Sequence, residues 1–544
     1  MHLIALVTLL VGAAPDTAVV CAPEFRAALA PWIALREGQG RRIALLPAPA
    51  DASALRESIR RLAAAGSLRF VLLVGDADGP AGFNAEARVS ATAGPHAPLS
   101  KSAGAAARGK PLVPTRHVPA EVNVRFGSER HIATDSWFAD LDDDGAPDLA
   151  IGRLTADTPD ELAAMVAKIV AYETSRDFGL WRREVHFVAG VGGFGPLVDT
   201  AVELAAKSVI TAGLPSTHHT VMTQASWTSA YFPDPRAFRQ QALAGLEDGC
   251  LFWVYMGHGR RTALDDAPAF AGRSAPILDR AAARRLTSPP APAIACLFAC
   301  YSGAFDGVDD CLAEELLRAR GGPVAVLCAS RVTMPYGMST LGMELLAETF
   351  VERRATLGEA VLAAKRALVD PKPTKPMRQT LDTMAKWLSP APVDLAGERA
   401  EHLAMFNLLG DPLLSLKHPR PLAIEAPRRA TAGEEILIEG TSPLAGVGVV
   451  EIVARRDRLR FDPAPRTGSP VSDAEAERCG EAYRAANDPA WVRQAVRLAA
   501  GRFSFKLALP ADATGPCHAR IYLAGLDDCA AGAADLEIDP AKDR

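Results

Sequence analysis

Apolar positions follow two rhythms along this chain. Through roughly the first 415 residues, short continuous apolar runs alternate with stretches whose apolar positions recur every three or four residues. The runs TAVVCA (17–22), RFVLLVGD (69–76), VHFVAG (185–190), CLFWVYMG (250–257), AIACLFAC (293–300) and PVAVLCAS (323–330) have strand length and no polar side. That pattern predicts strands covered on both faces. Helical spacing predicts helices near Phe25–Leu35, Ala54–Ala65, 159–173, Val198–Ala212 and Cys311–Arg320, and one capped by Asp234 that runs to Leu246. The helix at 159–173 is the best marked. Thr158 is its N-cap, Pro159 opens the first turn, Glu161 completes a capping box, and Leu162, Met165, Val166, Ile169 and Val170 repeat on one face. Strands and helices in alternation predict an α/β fold, a mostly parallel sheet between helical layers. Residues 78–130, rich in Gly, Ala and Pro, predict irregular structure.

Beyond Pro419 the rhythm changes. EILIEG, VVEIVAR, RFSFKLALP and HARIYLAG alternate with period two, separated by turn residues and without helical spacing between them. Residues 419–544 therefore predict a β-sandwich, joined to the rest at KHPRPL (417–422). At the other end, MHLIALVTLLVGAA is too short to span a bilayer. It has the length of a signal-peptide core, so 1–16 is a candidate signal peptide, although no Lys or Arg precedes the apolar run. The alternative is a buried first strand. No other stretch reaches about 18 apolar residues without charges, so no membrane span is expected.

Composition narrows the classes. A chain of 544 residues has room for several domains. Its net charge of −5 is spread without a dominant block, and nothing in it resembles a nucleic-acid footprint. The nine cysteines are an odd number, so at least one thiol is free or paired with another chain. No C-x-x-C pair is present, which disfavours a zinc ribbon or a dithiol redox motif. Cys517 and Cys529 flank a predicted strand pair and could form a disulfide in an exported protein.

Two strand ends carry candidate chemistry. The run 250–256 ends in Gly257-His258-Gly259, and the run 293–299 ends in Cys300-Tyr301-Ser302-Gly303. A cysteine nucleophile needs a nearby imidazole to take its proton and backbone N–H groups for the developing oxyanion. In a parallel sheet such groups gather beyond the carboxyl ends of the strands. If the two strands are neighbours, His258 and Cys300 open onto one cleft. Cys296, four positions earlier, lies deeper in the sheet and reads as core.

These segments resemble the gingipain-type cysteine peptidases of the caspase-like group. RFVLLVGD, TDSWFADLDDDGAPDLAIGRL followed by Ala171-Tyr172-Glu173, VYMGHG, ACYSGAF followed by Cys311-Leu312-Ala313-Glu314, and FNLLGDPLL (406–414) match in order, over about residues 17–416. The resemblance implies a caspase-like α/β/α sandwich over 17–418, with subdomains 17–117 and 118–418, followed by an immunoglobulin-like β-sandwich. It implies Cys300 as nucleophile, His258 as its base, and the N–H groups of Gly259 and Cys300 at the oxyanion. It also implies protein or peptide substrates, no cofactor for the chemistry, and export. With the first strand expected near Thr17, a long propeptide before it is not expected.

One departure stands out. Where gingipains carry a glutamate that supports the histidine, the similar stretch here is Ala189-Gly190-Val191-Gly192-Gly193, with Val191 at the acid's place. The third catalytic member is therefore missing or supplied elsewhere. SRVTMPY (330–336) resembles the stretch whose aromatic residue walls the specificity pocket, which suggests Tyr336. Asp199 is the nearest acid for a basic substrate side chain, although an acid in a first helical turn is common for other reasons. The loop Asp140-Leu141-Asp142-Asp143-Asp144-Gly145-Ala146-Pro147-Asp148 resembles the first part of a calcium loop, with Asp140, Asp142, Asp144 and Asp148 as candidate ligands. Ile151 stands where the usual last acid would be. The expected function is peptide-bond hydrolysis. Sortase-like transpeptidation with the same dyad and a non-catalytic binding scaffold are the alternatives.

Overall fold

The computed structural model describes residues 14–77, 112–192, 210–211, 213–287, 291–373, 375–388, 394–466 and 468–541. Asp199 and most of the helix expected at 198–212 lie outside the described residues, as do residues 1–13 of the candidate signal peptide. Among the described residues no helix is long and apolar enough to cross a membrane.

Ten strands form the main sheet: β1 (Thr17–Cys21), β2 (Ile43–Leu46), β3 (Phe70–Val74), β4 (Ala150–Leu154), β5 (Glu184–Ala189), β6 (His219–Gln224), β7 (Phe252–Met256), β8 (Ile294–Phe298), β9 (Ala325–Ala329) and β10 (Phe406–Leu409). Their order across the sheet is β2-β1-β3-β4-β10-β9-β8-β7-β5-β6. Every adjacent pair is parallel except β9–β10, where Val326 to Ala329 run antiparallel to Leu409 to Phe406. The sheet thus consists of two parallel halves of opposite direction. The carboxyl ends of β5, β7, β8 and β9 gather on one edge, and those of β1, β3 and β4 open on the other. Helix Leu395–Met405 runs into β10 without a loop.

Central strands β1, β3, β8 and β9 are buried along their whole length, as their continuous apolar runs require. Helices Arg26–Gly38, Pro159–Thr174 and Leu312–Arg318 pack together, and helices Pro335–Leu346, Leu357–Val369 and Leu395–Met405 form a second packed group. The capping box of helix Pro159–Thr174 forms between Thr158 and Glu161. Asp234, by contrast, does not cap its helix. That helix spans Phe238–Asp248 with Ala237 as N-cap, because a turn from Asp234 O to Ala237 N comes first and the Asp234 carboxylate is taken by Arg236.

The C-terminal unit holds a six-stranded and a three-stranded sheet. Ile436 and Ile438 of the smaller sheet share one core with Val450, Ile452 and Ile521 of the larger. Two expectations fail here. A helix, Asp473–Asn487, interrupts the strands and carries its own capping box from Ser472 to Glu475. It covers the β6 edge of the main sheet, where Asn487 exchanges hydrogen bonds with the Met222 backbone (2.8 and 3.0 Å) and Tyr483 meets Thr223 at 2.9 Å. Cys517 and Cys529 do not bridge. Cys517 pairs with Leu536 and Cys529 with Ala524 on adjacent strands, which sets them seven positions apart (524 − 517), about 23 Å at strand rise.

Candidate active site

Strands β7 and β8 are neighbours, registered from Phe252↔Ile294 to Met256↔Phe298. Two residues past the last pair on each strand come His258 and Cys300, so both residues occupy matching positions on the same sheet edge. The ladder continues one step beyond the strands through Gly257 N–H to Phe298 O (3.2 Å). The His258 carbonyl accepts from the Tyr255 hydroxyl at 2.9 Å and from the Asp265 N–H at 3.2 Å. The ring of Tyr255 fits only because residues 190 and 257 lack side chains: a Cβ on Gly257 would stand 2.7 Å from its hydroxyl. A Cβ on Gly259 would meet Ala299 Cβ at 2.7 Å and Cys300 O at 3.0 Å. The backbone after His258 therefore lies directly on the peptide that carries Cys300.

The turn after Cys300 is strained. Tyr301 adopts φ +56°, uncommon for a residue with a side chain and a recurrent feature of functional sites. It is held by Tyr301 N–H to Arg331 O (3.1 Å), by Gly303 N–H to Ala329 O (2.9 Å) and by a bond from the Tyr301 hydroxyl to Glu129. Beneath it, the Arg331 guanidinium pairs with Asp306 (2.6 and 3.0 Å), and His117 meets the same carboxylate at 2.9 Å. The half-buried Cys300 thiol faces Thr333. The Thr333 N–H donates to Sγ at 3.3 Å, and the Thr333 hydroxyl lies 3.5 Å away. Burial pushes the thiol pKa up, and the Thr333 contacts pull it back.

Val191 brings no acid to the site, but its backbone does meet one. The hairpin Gly259–Arg260/Ala263–Leu264 turns the chain back so that Asp265 returns beside His258. Asp265 Oδ2 accepts the Val191 N–H at 3.2 Å, and Oδ1 accepts the Asp266 N–H at 3.0 Å. Burial raises the Asp265 pKa, and the His258 charge is the leading influence that lowers it. Nothing in the one-dimensional pattern marked Asp265, since only the hairpin returns it to the histidine. Thr333 was likewise unmarked, although it sits inside the SRVTMPY segment.

The remaining expected residues are placed as follows. Tyr336 lies in the first turn of helix Pro335–Leu346, and its hydroxyl donates to Asp382 and accepts from Arg399, both at 2.6 Å. A cavity of about 520 Å³ opens beside the strand ends. Gly190, Val191, Gly257, Trp227, Pro335 and Met338 are in its wall, Tyr336 is not, and none of its described wall residues is charged. In the acidic loop, carboxylate oxygens of Asp140, Asp142 and Asp148 come within 4.8 Å of one another. Asp144 is outside that group and accepts from its own loop at Ala146 N–H. Arg56 lies 3.4 Å from Asp140, and Arg366 bonds Asp148 at 2.7 Å.

A mostly parallel sheet that presents a cysteine and a histidine at adjoining carboxyl ends has the make-up of a cysteine peptidase. The model of Peptidase family C25 matches residues 12–417; the chain belongs to that family and is a cysteine peptidase. Among solved structures, it resembles the Arg-specific cysteine proteinase gingipain R, at 15% identity and a TM-score of 0.51, over 97% of this chain and 99% of that one. The complex of Porphyromonas gingivalis RgpB pro- and mature domains matches at 14% identity and a TM-score of 0.51, over 96% of this chain and all of that one. At such identity the likeness is one of fold. No curated protein matches the chain in sequence.

Proposed function

We propose that this peptidase hydrolyses peptide bonds through a Cys300–His258 dyad and an acyl-enzyme. The observation that carries the reading is the matched position of the two residues at the ends of neighbouring strands. His258 takes the Sγ proton, and the thiolate attacks the scissile carbonyl carbon. The oxyanion forms against the N–H groups of Gly259 and Cys300. Collapse yields a thioester on Cys300, and the leaving amine takes the proton from His258. Water, deprotonated by His258, then attacks the thioester, releases the acid and restores the thiol. Asp265 acts as a positioning residue. Its carboxylate is fixed by the Val191 and Asp266 N–H groups and stabilises the imidazolium, in place of the acid that position 191 lacks.

The absence of charge among the cavity's described wall residues supports a preference for an apolar side chain before the cleaved bond. The acidic loop is read as a calcium site formed by Asp140, Asp142 and Asp148, the C-terminal two-sheet unit as immunoglobulin-like, and the chain as exported on the strength of its apolar first residues. The test is cleavage of a peptide library by the wild type, Cys300→Ala and His258→Ala. Both variants should lose activity by at least about a thousandfold, because the two residues act as a unit. Turnover by Cys300→Ala equal to the parent's would refute the dyad. A preference for basic residues would refute the apolar pocket while leaving the dyad intact.

A further inference from the structure

The seam between the C-terminal unit and strand β6 encloses a cavity of about 250 Å³ that the peptidase chemistry does not use. Arg455, Arg456, Arg458 and Arg520 are in its wall, with one carboxylate among the described wall residues, Asp457. That carboxylate is already engaged by Arg455 at 2.7 and 3.0 Å. Burial lowers the pKa of two histidines of the same wall, His219 and His518, and favours their neutral form. The Arg456 guanidinium donates to three backbone carbonyls, Leu214 at 2.8 Å and Pro215 and His218 at 3.2 Å each, and makes no ion pair among the described residues. Burial pushes its pKa down to about 10. Arg520, 3% exposed, shares the fully buried Glu451 with Arg183 and Arg493, at 2.8, 2.7 and 2.7 Å, and of the three Arg493 also reaches Asp488, at 3.3 Å. His518 has its own acid, Asp535, at 2.8 Å.

Among the described residues, guanidiniums thus outnumber carboxylates around a space held by both parts of the molecule. A desolvated guanidinium without a counter-charge is costly, and an anion that fills the space relieves that cost. The cavity is smaller than the roughly 300–1,000 Å³ that hold drug-sized ligands, so the occupant is compact. Guanidiniums reach it from the turn at 455–458 and, through Arg520, from strand Gly515–Ala524, and Ser216, Thr220 and Tyr231 add hydroxyls. Donors converging from several directions suit a tetrahedral group with more than two acceptor oxygens better than a planar carboxylate.

We propose that this seam cavity binds a phosphate group, as inorganic phosphate or as a small phosphomonoester, and so clamps the C-terminal unit to the edge of the main sheet. The test is isothermal titration of the full chain with inorganic phosphate, free phosphoserine and succinate, with sodium chloride at matched ionic strength as reference, alongside melting curves. Saturable one-to-one binding of phosphate or phosphoserine is expected, with a Tm that rises as the ligand is added. The tighter of the two identifies the source of the group. Arg456→Met should weaken binding by at least about tenfold. Arg458→Met changes an exposed side chain, leaves the fold intact and should weaken binding several-fold. Heats equal to those of sodium chloride, or wild-type binding by both variants, would overturn the site. Succinate binding as tightly as the phosphates would overturn the ligand class.

Discussion

Two opposing influences act on the Cys300 thiol: burial raises its pKa, and the Thr333 N–H and hydroxyl lower it. A thiol so placed needs a further charge to become a nucleophile, and the imidazolium of His258 is the group the geometry offers. Asp265 then matters for orientation. In Asp265→Asn the amide oxygen can keep only one of the two loop bonds, that from the Val191 N–H to Oδ2 or that from the Asp266 N–H to Oδ1, and the negative charge is lost. The expected result is a fall in kcat of at least about tenfold with KM changed by less than about twofold, and partial recovery in Asp265→Glu. A variant with wild-type kcat would show that the carboxylate serves the hairpin alone. At this scale the sequence was informative where chemistry and local pattern coincide: His258 ends an apolar run between Gly257 and Gly259, and Cys300 ends another three residues before Gly303. It was silent on Asp265 and Thr333, whose roles depend on chain reversals that bring distant positions to the thiol and the ring.

Strands with continuous apolar runs and helices with a marked apolar period were legible, and other helices were not. Six strands of the main sheet, β1, β3, β5, β7, β8 and β9, end within two residues of the apolar runs that predicted them. Helix Asp473–Asn487 escaped because its neighbours alternate with period two, and the need it meets, covering β6, is invisible along the chain. Helix Leu395–Met405 also escaped, yet it buttresses the site. His402 Nε2 accepts the Met334 N–H at 3.0 Å, one residue from Thr333, and its Nδ1 meets Glu398 O at 2.7 Å. Burial pushes the His402 pKa down to about 4, from an ordinary 6.5. Between these values the unfolded chain binds a proton that the folded one refuses, so His402 contributes stability that rises with pH across 4–6.5 and is lost on acidification. His402→Gln, which keeps a donor and an acceptor, should flatten the stability-versus-pH curve there by about 1.4 kcal/mol per pH unit. Denaturant titrations at pH 4.5, 5.5 and 6.5 measure this, and parallel curves for the two proteins would contradict it. The acidic loop makes its own prediction. Calcium should raise Tm, and Asp142→Ala with Asp148→Ala should remove the effect. An unchanged melting curve in chelator would mean that Arg56 and Arg366 already balance the loop.

Over the whole molecule, alternating strands and helices pointed to a parallel sheet, but not to its division into halves of opposite direction. That division rests on one antiparallel pair, β9–β10, formed by a strand more than 70 residues beyond its partner (406 − 329 = 77). Local pattern carries no information on such a pairing. The parallel pairings of β7 with β8 and of β8 with β9 set their carboxyl ends on one edge, which carries His258, Cys300 and Thr333. The central claim is therefore that the folded sheet makes one of nine cysteines a nucleophile. The other eight are buried, and burial raises the pKa of each. The most direct measurement is labelling of the native chain with an electrophilic peptide probe, followed by mass spectrometry of the digested product. The account predicts one adduct per chain, on Cys300, that disappears in His258→Ala and loses its selectivity in denaturant. Native protein that stays unlabelled, or carries the label on another cysteine, would contradict it.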